Sequence, residues 1–192
     1  MASKTVLLVT GDFVEGLECY FAQHALEMFG YVVHSVCPGK KAGEAVSTAV
    51  HDFDGYQTYS EKRGHNYPMT HDFDDVKGAL EGYSGLFIPG GRAPEYLRLN
   101  EDVLSVVRFF NDKKLPIASL CHGPQLLLSA GILKGRTCTS YCAVYPDLTM
   151  GGANLVQTDY VADGHIHTAK DWSVQAQLLA GFVKAMGSTM TH

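Results

Sequence analysis

The stretch Pro116–Gln125, PIASLCHGPQ, joins a short apolar run to a turn of small residues and then to a glycine–proline pair. Its residues 117–120 lack the polar alternation of a half-exposed strand, which is typical of a strand buried on both faces of a parallel sheet. We therefore expect a buried strand that ends at Cys121 and a helix that begins at Pro124. A cysteine at such a junction lies where a substrate can reach it, because ligands of doubly wound sheets bind beyond the carboxyl ends of the strands.

Short apolar runs alternate with segments of helical spacing along the rest of the chain. The other predicted buried strands are Thr5–Thr10, Tyr31–Cys37 and Gly85–Ile88, and the helices between them are Leu17–Met28 and Asp102–Asn111. Downstream of the cysteine the pattern predicts a helix over Pro124–Ala130, strands over Asn154–Asp159 and Ile166–Ala169, a helix over Ser173–Met186 and a loose tail over Gly187–His192. The alternation predicts a single α/β domain over residues 1–192, with a flavodoxin-like, doubly wound, mostly parallel sheet between helices.

The composition and net charge limit the classes of partner that we expect for this protein. The 192 residues are 46% hydrophobic and 18% charged, as in an ordinary globular protein. A net charge of -5 gives no electrostatic reason to expect a nucleic acid or an anionic membrane as partner. No apolar run approaches the ~20 residues that span a bilayer. Five cysteines at scattered spacing suggest reduced thiols. We expect a cytoplasmic protein whose substrate is a small polar molecule.

The segment from Pro38 to Thr70 departs from the alternation. It is rich in Gly, Lys, His, Tyr and Asp and is predicted to hold a hairpin or loops. Loops of this length are usually functional or disordered, and the aromatic residues favour an ordered one. We expect this excursion to cover an active-site mouth or to make a subunit contact.

Cys121 has the surroundings of a nucleophile. A nucleophile elbow requires small residues two positions before and two after the nucleophile, and Ser119 and Gly123 occupy those positions. The N–H groups and dipole of the following helix can lower a thiol pKa and hold an oxyanion. The adjacent His122 can shuttle a proton or donate its N–H to an oxyanion, although it can also be purely structural.

Two further strand ends carry candidate groups. Gly90 and Gly91 permit close backbone approach to a ligand and can complete an oxyanion hole, and Glu95 follows in a short helix. Glu15 and Glu18 lie three residues apart at a helix start, so one of them can face Cys121 as a general acid or base while the other is solvated. Periodicity does not choose between the two.

Other candidates receive structural interpretations. His51, His65 and His71, with Asp52 and Asp54, match no zinc spacing and are interpreted as solvated loop residues, so no metal site is predicted. Trp172 is interpreted as a packing residue before the last helix.

Four segments together resemble the PfpI-like cysteine peptidase superfamily, which includes the parkinsonism-associated deglycase and class I amidotransferase-like relatives. They are PGGRAPEYLRLNE (Pro89–Glu101), PIASLCHGPQLLLSAGILKGR (Pro116–Arg136), TSY (Thr139–Tyr141) and the stretch Val33–Tyr67. The last resembles the plant branch of cofactor-independent glyoxalases, or glyoxalase III. The resemblance spans nearly the whole chain.

The resemblance implies roles for individual residues. Cys121 corresponds to the family nucleophile, and Glu18 to the carboxylate that approaches the sulfur. His122 and Glu95 match the histidine and glutamate of a catalytic triad in the peptidase members, where the glutamate comes from across a subunit interface. The backbone of Gly91 and His122 would form the oxyanion site.

The expected function follows from that resemblance. It is conversion of methylglyoxal or glyoxal to a 2-hydroxy acid, without cofactor, through a hemithioacetal on Cys121 with Glu18 as general base. A peptidase, a protein deglycase and a redox sensor or chaperone that acts through Cys121 oxidation are the alternatives. The plant glyoxalases resemble two fused copies of this domain, so we expect self-association into a dimer, trimer or hexamer.

Overall fold

The computed structural model describes residues 4–188. Its strands are β1 (Thr5–Val9), β2 (Val14–Glu15), β3 (Val32–Val36), β4 (Ala45–Asp52), β5 (Ser60–Pro68), β6 (Gly85–Ile88), β7 (Ile117–Leu120), β8 (Thr137–Cys138), β9 (Asn154–Leu155), β10 (Tyr160–Asp163) and β11 (Ile166–Ala169). Its α-helices are α1 (Gly16–Met28), α2 (Phe73–Lys77), α3 (Ala93–Leu97), α4 (Glu101–Asp112), α5 (Pro124–Ser129), α6 (Tyr145–Met150) and α7 (Gln175–Ala185).

A six-stranded sheet forms the centre, in the order β10-β11-β7-β6-β1-β3. Every neighbouring pair is parallel except β10 with β11. The parallel strands therefore have the 2-1-3-4-5 order of flavodoxin-like folds when they are counted along the chain. The predicted α/β fold class is confirmed.

Helices cover the sheet because its strands are apolar on both faces. Every residue of β6 and β7 is buried, as the absence of polar alternation predicted. Helices α1 and α7 pack against each other, and α4 packs against α5. Close approach of α7 explains Gly85, since a Cβ atom there would lie 2.8 Å from the Phe182 ring.

The predicted strand over Asn154–Asp159 is wrong. Only β9 is extended within it, and β9 pairs with β8 in a separate two-stranded sheet. The edge strand beside β11 is β10, which returns through a turn at Gly164 (φ +63°). The Asp163–Gly164 dipeptide is a strong hairpin signal because this turn requires positive φ, and it marked the strand that the apolar pattern missed.

The excursion forms a hairpin of β4 and β5, which joins β2 in a three-stranded sheet. The connecting loop, residues 53–59, lies beside Cys121 through the Tyr59 side chain. The short β2 strand lies directly before α1, so the hairpin is attached to the strand end that carries Glu15 and Glu18.

The predicted loose tail is ordered at its first two residues. The N–H of Gly187 donates to Lys184 and the N–H of Ser188 to Val183, and the Ser188 hydroxyl lies 2.8 Å from the hydroxyl of Tyr31. Residues 189–192 of that tail lie outside the described residues. Within residues 4–188 no helix combines the length and apolar character needed to cross a bilayer.

Candidate active site

Cys121 lies at a strained turn between β7 and α5. Its φ is +57°, a conformation that non-glycine residues rarely adopt. Its N–H donates to the carbonyl of Ala169 at 3.1 Å, and its carbonyl accepts from the N–H of Tyr141 at 3.0 Å. A Cβ atom on Gly123 would lie 2.4 Å from the Ser119 hydroxyl, so both positions must be small. The geometry is that of a nucleophile elbow.

Backbone N–H groups surround the sulfur. The N–H groups of Gly91 and His122 both hydrogen-bond the Cys121 thiol and lower its pKa. Gly90 brings the neighbouring strand end into contact, since a Cβ atom there would lie 2.5 Å from the Cys121 Cβ and 3.0 Å from its sulfur. These donors can stabilise a negative oxygen formed at a carbon bound to the sulfur.

Glu18 is the carboxyl group beside the thiol. It is 0% exposed in the first turn of α1, and its Oε2 accepts from the N–H of Gly90. Its Oε1 has no hydrogen-bond partner of ordinary geometry among the described residues. Burial raises the pKa of Glu18 well above its usual range, against the lowering effect of the Gly90 N–H and of the Cys121 thiol. A partly unsatisfied buried carboxyl with a raised pKa is suited to proton transfer.

The pKa of the Cys121 thiol is raised, whereas the sequence predicted that the helix after it would lower this pKa. Burial and the negative charge of Glu18 raise the pKa of Cys121 above its ordinary value, and the N–H groups only partly offset this. Cys121 is 8% exposed, so the loss of hydration outweighs the short helix α5. Two adjacent acids that resist joint ionisation share one proton, which can move between sulfur and carboxyl.

His122 contacts the thiol through its ring. Its Nδ1 lies 3.3 Å from the Cys121 sulfur, and the rings of Tyr59 and Tyr141 lie within 6 Å of the imidazole. Burial lowers the pKa of His122 to about 4, and the positive charge of His51 acts in the same direction. His122 is therefore neutral at physiological pH and can accept a proton.

That burial predicts a pH-dependent contribution of His122 to stability. Since its folded pKa of about 4 lies below the ordinary 6.5, the contribution is present above pH 6.5 and is lost as pH falls through 4. The full loss is about 3 kcal/mol. We expect the gap in unfolding free energy between wild type and His122→Asn to narrow by up to that amount from pH 7 to pH 4, as measured by urea unfolding. An unchanged gap, with the exposed His24→Asn as control, contradicts this assignment.

Glu95 is not brought to the site within one chain. It lies half-buried in the first turn of α3, and its N–H donates to Arg92. Within residues 4–188 its carboxylate forms no hydrogen bond or ion pair, with His122 or any other group. A Cys121–His122–Glu95 triad is therefore absent from the isolated chain.

Aromatic side chains form the wall of a narrow cavity above the sulfur. The cavity has a volume of about 10 Å³, roughly the space of one water molecule, and is lined by Glu15, His51, Phe53, Tyr59, Cys121, His122, Tyr141 and Trp172. The Phe53 ring stacks on Tyr141 at 6.0 Å and on Trp172 at 5.7 Å between centroids. Trp172 lies before the last helix and packs against Phe53, as the sequence predicted, and its ring is also part of this wall while its Nε1 donates to the His51 carbonyl.

A chain of charged groups lies beside the cavity. Glu15 is 2% exposed, and its Oε2 lies 2.9 Å from Nδ1 of His51. The other ring nitrogen of His51 lies 2.9 Å from Oε2 of Glu61, which pairs with Arg92 at 3.4 Å. Glu15 is thus not solvated, and His51 is a buried residue rather than a solvated loop residue. The predictions failed because burial of both residues depends on the hairpin docking against α1.

The histidines and aspartates considered as metal ligands do not come together in one site. Among residues 4–188, no three His, Cys, Asp or Glu side chains are grouped closely enough to hold a metal ion. His71 instead stacks on His34, with ring centroids 3.6 Å apart, and neither residue lines the cavity beside Cys121.

Comparison with known proteins gives consistent matches. The model of the DJ-1/PfpI family matches residues 4–185. Protein DJ-1 homolog D of Arabidopsis thaliana is 46% identical over 193 residues, covering 98% of this chain and 49% of that protein. The chain spans about half the length of the Arabidopsis relatives it matches.

An archaeal relative matches over most of both chains. The protein named deglycase PfpI of Pyrococcus furiosus is 32% identical over 160 residues, covering 83% of this chain and 86% of that protein. The crystal structure of Drosophila melanogaster DJ-1beta superposes with a TM-score of 0.80 at 19% identity, covering 98% of this chain and 92% of that one. At that identity the superposition supports the fold.

Proposed function

The chain belongs to the DJ-1/PfpI family, and from this premise we propose that it is a glyoxalase that needs neither glutathione nor a metal. It converts methylglyoxal or glyoxal to a 2-hydroxy acid. The observation that carries the proposal is the buried Glu18 carboxyl beside the Cys121 thiol, together with the narrow, aromatic-walled cavity that Cys121 lines. Such a cavity favours a small carbonyl compound that needs one nucleophile and one base.

The first step is addition of the thiolate to the aldehyde. Glu18 takes the thiol proton, the Cys121 sulfur forms a bond to the aldehyde carbon, and the carbonyl electron pair moves to oxygen. The N–H groups of Gly91 and His122, which contact the sulfur, are available to that oxygen. Protonation of the oxygen gives a hemithioacetal and returns Glu18 to its ionised form.

The second step is an internal oxidation and reduction. Glu18 removes the hydrogen of the former aldehyde carbon as a proton and the neighbouring carbonyl oxygen takes up a proton, which gives an enediol. The hydroxyl on the former aldehyde carbon then loses its proton as Glu18 returns one to the neighbouring carbon. The former aldehyde carbon becomes a thioester and the neighbouring carbon an alcohol, so no external oxidant is needed. A raised pKa suits Glu18 because the same carboxyl must both take and give a proton near neutral pH.

The third step is hydrolysis of the thioester. Neutral His122 accepts a proton from water, the resulting hydroxide adds to the thioester carbon, and the carbon–sulfur bond breaks. The hydroxy acid leaves and the Cys121 thiol is restored. The position of His122 Nδ1, 3.3 Å from the sulfur, supports this role.

Two related activities use the same thiol. The relatives from Pyrococcus horikoshii and Pyrococcus furiosus are named deglycases, and removal of early glycation adducts from proteins is the second candidate. A peptidase would need a partner for His122 that Glu95 of the same chain does not supply, and it would need a wider cavity than the one beside Cys121.

The proposal is tested by product NMR with purified protein, methylglyoxal and no added thiol. We expect lactate to form at a rate proportional to enzyme concentration, both with and without a chelator. Under the deglycase alternative, the protein would restore glycated amino groups faster than it consumes free methylglyoxal. Absence of lactate, or formation only when glutathione is added, would overturn the proposal.

A further inference from the structure

Two buried carboxyl groups at the start of α1 have contrasting surroundings. Glu15 accepts hydrogen bonds from the N–H of Leu17, the N–H of His51 and the ring of His51, each at 2.9 Å. Glu18 accepts one backbone N–H and leaves Oε1 unsatisfied. Because hydrogen-bond donors favour the ionised form of a carboxyl group and Glu18 has few of them, burial raises the pKa of Glu18.

His51 lies between two carboxylates. A neutral imidazole has one N–H and could donate to only one of Glu15 and Glu61, whereas an imidazolium donates to both. Two hydrogen-bonded carboxylates accordingly raise the pKa of His51, against the effect of burial. The edge of the Tyr59 ring faces the imidazole at 4.8 Å, and His122 is the other titratable group that senses its charge.

Several elements bring charged groups to this site. Asp171, just before Trp172, is a further carboxylate whose charge raises the pKa of both Glu18 and Cys121. Glu15 comes from the start of α1, and His51 and Glu61 come from the two strands of the hairpin. Arg92, just before α3, holds Glu61 from its far side at 3.4 Å. Its guanidinium is half exposed, so its interaction with Glu61 is screened by solvent.

We propose that His51 is a positioning residue: hydrogen-bonded to Glu61 on its other side, it fixes the buried Glu15 carboxylate one helical turn from Glu18, where the charge of Glu15 acts on the Glu18–Cys121 pair. The charge of Glu15 opposes ionisation of Glu18, which lies one helical turn away and beside the thiol. For the proposed glyoxalase, this charge helps to keep one proton on the pair at neutral pH, so that the pair can donate a proton as well as accept one.

The pH dependence of Cys121 alkylation by iodoacetamide tests the inference. Mass spectrometry of the peptide that contains Cys121 separates its reaction from that of the exposed Cys142. Removing the charge of Glu15 makes the pair easier to deprotonate, so Glu15→Gln should move the alkylation midpoint about one pH unit lower. His51→Gln should do the same, since Glu15 then loses the ring donor that fixes its carboxylate beside Glu18.

Two further variants separate charge from packing. His51→Arg keeps a cation and donors for both carboxylates at all accessible pH values, so the midpoint should stay within a few tenths of a pH unit of wild type. The double variant Glu15→Gln/His51→Gln should match Glu15→Gln alone, because His51 acts only through Glu15. His24→Gln and Glu27→Gln, on the exposed face of α1, are the controls and should leave the midpoint unchanged.

Alkylation requires no turnover, so this experiment tests the role of His51 independently of the proposed glyoxalase activity. The inference is wrong if Glu15→Gln leaves the alkylation midpoint unchanged. It is also wrong if His51→Arg shifts the midpoint as much as His51→Gln does. If His51→Arg does not fold, as judged by circular dichroism, the comparison of Glu15→Gln with the double variant decides. If the midpoint shifts occur as predicted but no lactate forms, the glyoxalase proposal is rejected and the role of His51 still stands.

Discussion

Replacing Cys121 by alanine is expected to lower kcat/KM for methylglyoxal by about a thousandfold or more, because the sulfur forms the covalent bond on which every later step depends. No other thiol or hydroxyl nucleophile is among the residues that line the cavity except the Tyr59 and Tyr141 phenols. Burial raises the pKa of both phenols above 10, so neither is an effective nucleophile near neutral pH.

The measurement is the initial rate of lactate formation by NMR, alongside thermal unfolding. Alanine removes only the sulfur, and the elbow is held by hydrogen bonds of the backbone, so the melting temperature should change little. Cys142→Ser is the matched control, since Cys142 is exposed and outside the cavity lining. It should retain the wild-type rate. A Cys121→Ala variant that keeps more than a tenth of the activity would contradict the covalent mechanism.

The elbow and the parallel sheet could be predicted because short-range features determine them. Buried strands on both faces of the sheet are continuous apolar runs, and the spacing of Ser119, Cys121 and Gly123 reflects a local steric requirement that the structure displays in full. The edge strand β10 was missed because an edge strand is only partly buried and lacks such a run. Its turn glycine, Gly164, was the better signal.

The environment of the site could not be predicted in the same way. Glu15 and Glu18 lie three residues apart on one helix start, so periodicity leaves them equivalent and only the family resemblance favours Glu18. What distinguishes them is the hairpin, whose His51 reaches Glu15 across 36 positions of sequence. The aromatic wall is likewise assembled from three separated segments, which contribute Phe53, Tyr141 and Trp172. Contacts between loops have no periodicity, so no sequence pattern predicts them.

Glu18→Gln is expected to lower kcat for methylglyoxal by about a hundredfold to ten-thousandfold, the usual contribution of a positioned general base. The amide has nearly the same shape as the carboxyl, and its oxygen can still accept the N–H of Gly90. What it loses is the ability to take the proton from carbon. The Cys121 thiol must then give its proton to His122 or to water, so addition of the sulfur to the aldehyde should be slower than in wild type, and the reaction should stop at the hemithioacetal.

Intact mass spectrometry after reaction with methylglyoxal distinguishes this block from a failure of folding or binding. The variant should carry the mass of one added methylglyoxal, and peptide mapping should place it on Cys121, whereas wild type should turn the adduct over to lactate. Glu27→Gln, an exposed carboxylate on the same helix, should behave as wild type. A Glu18→Gln protein that forms no adduct would show that the carboxyl is needed to generate the thiolate itself. One that still forms lactate at the wild-type rate would mean that a different group removes the carbon-bound proton.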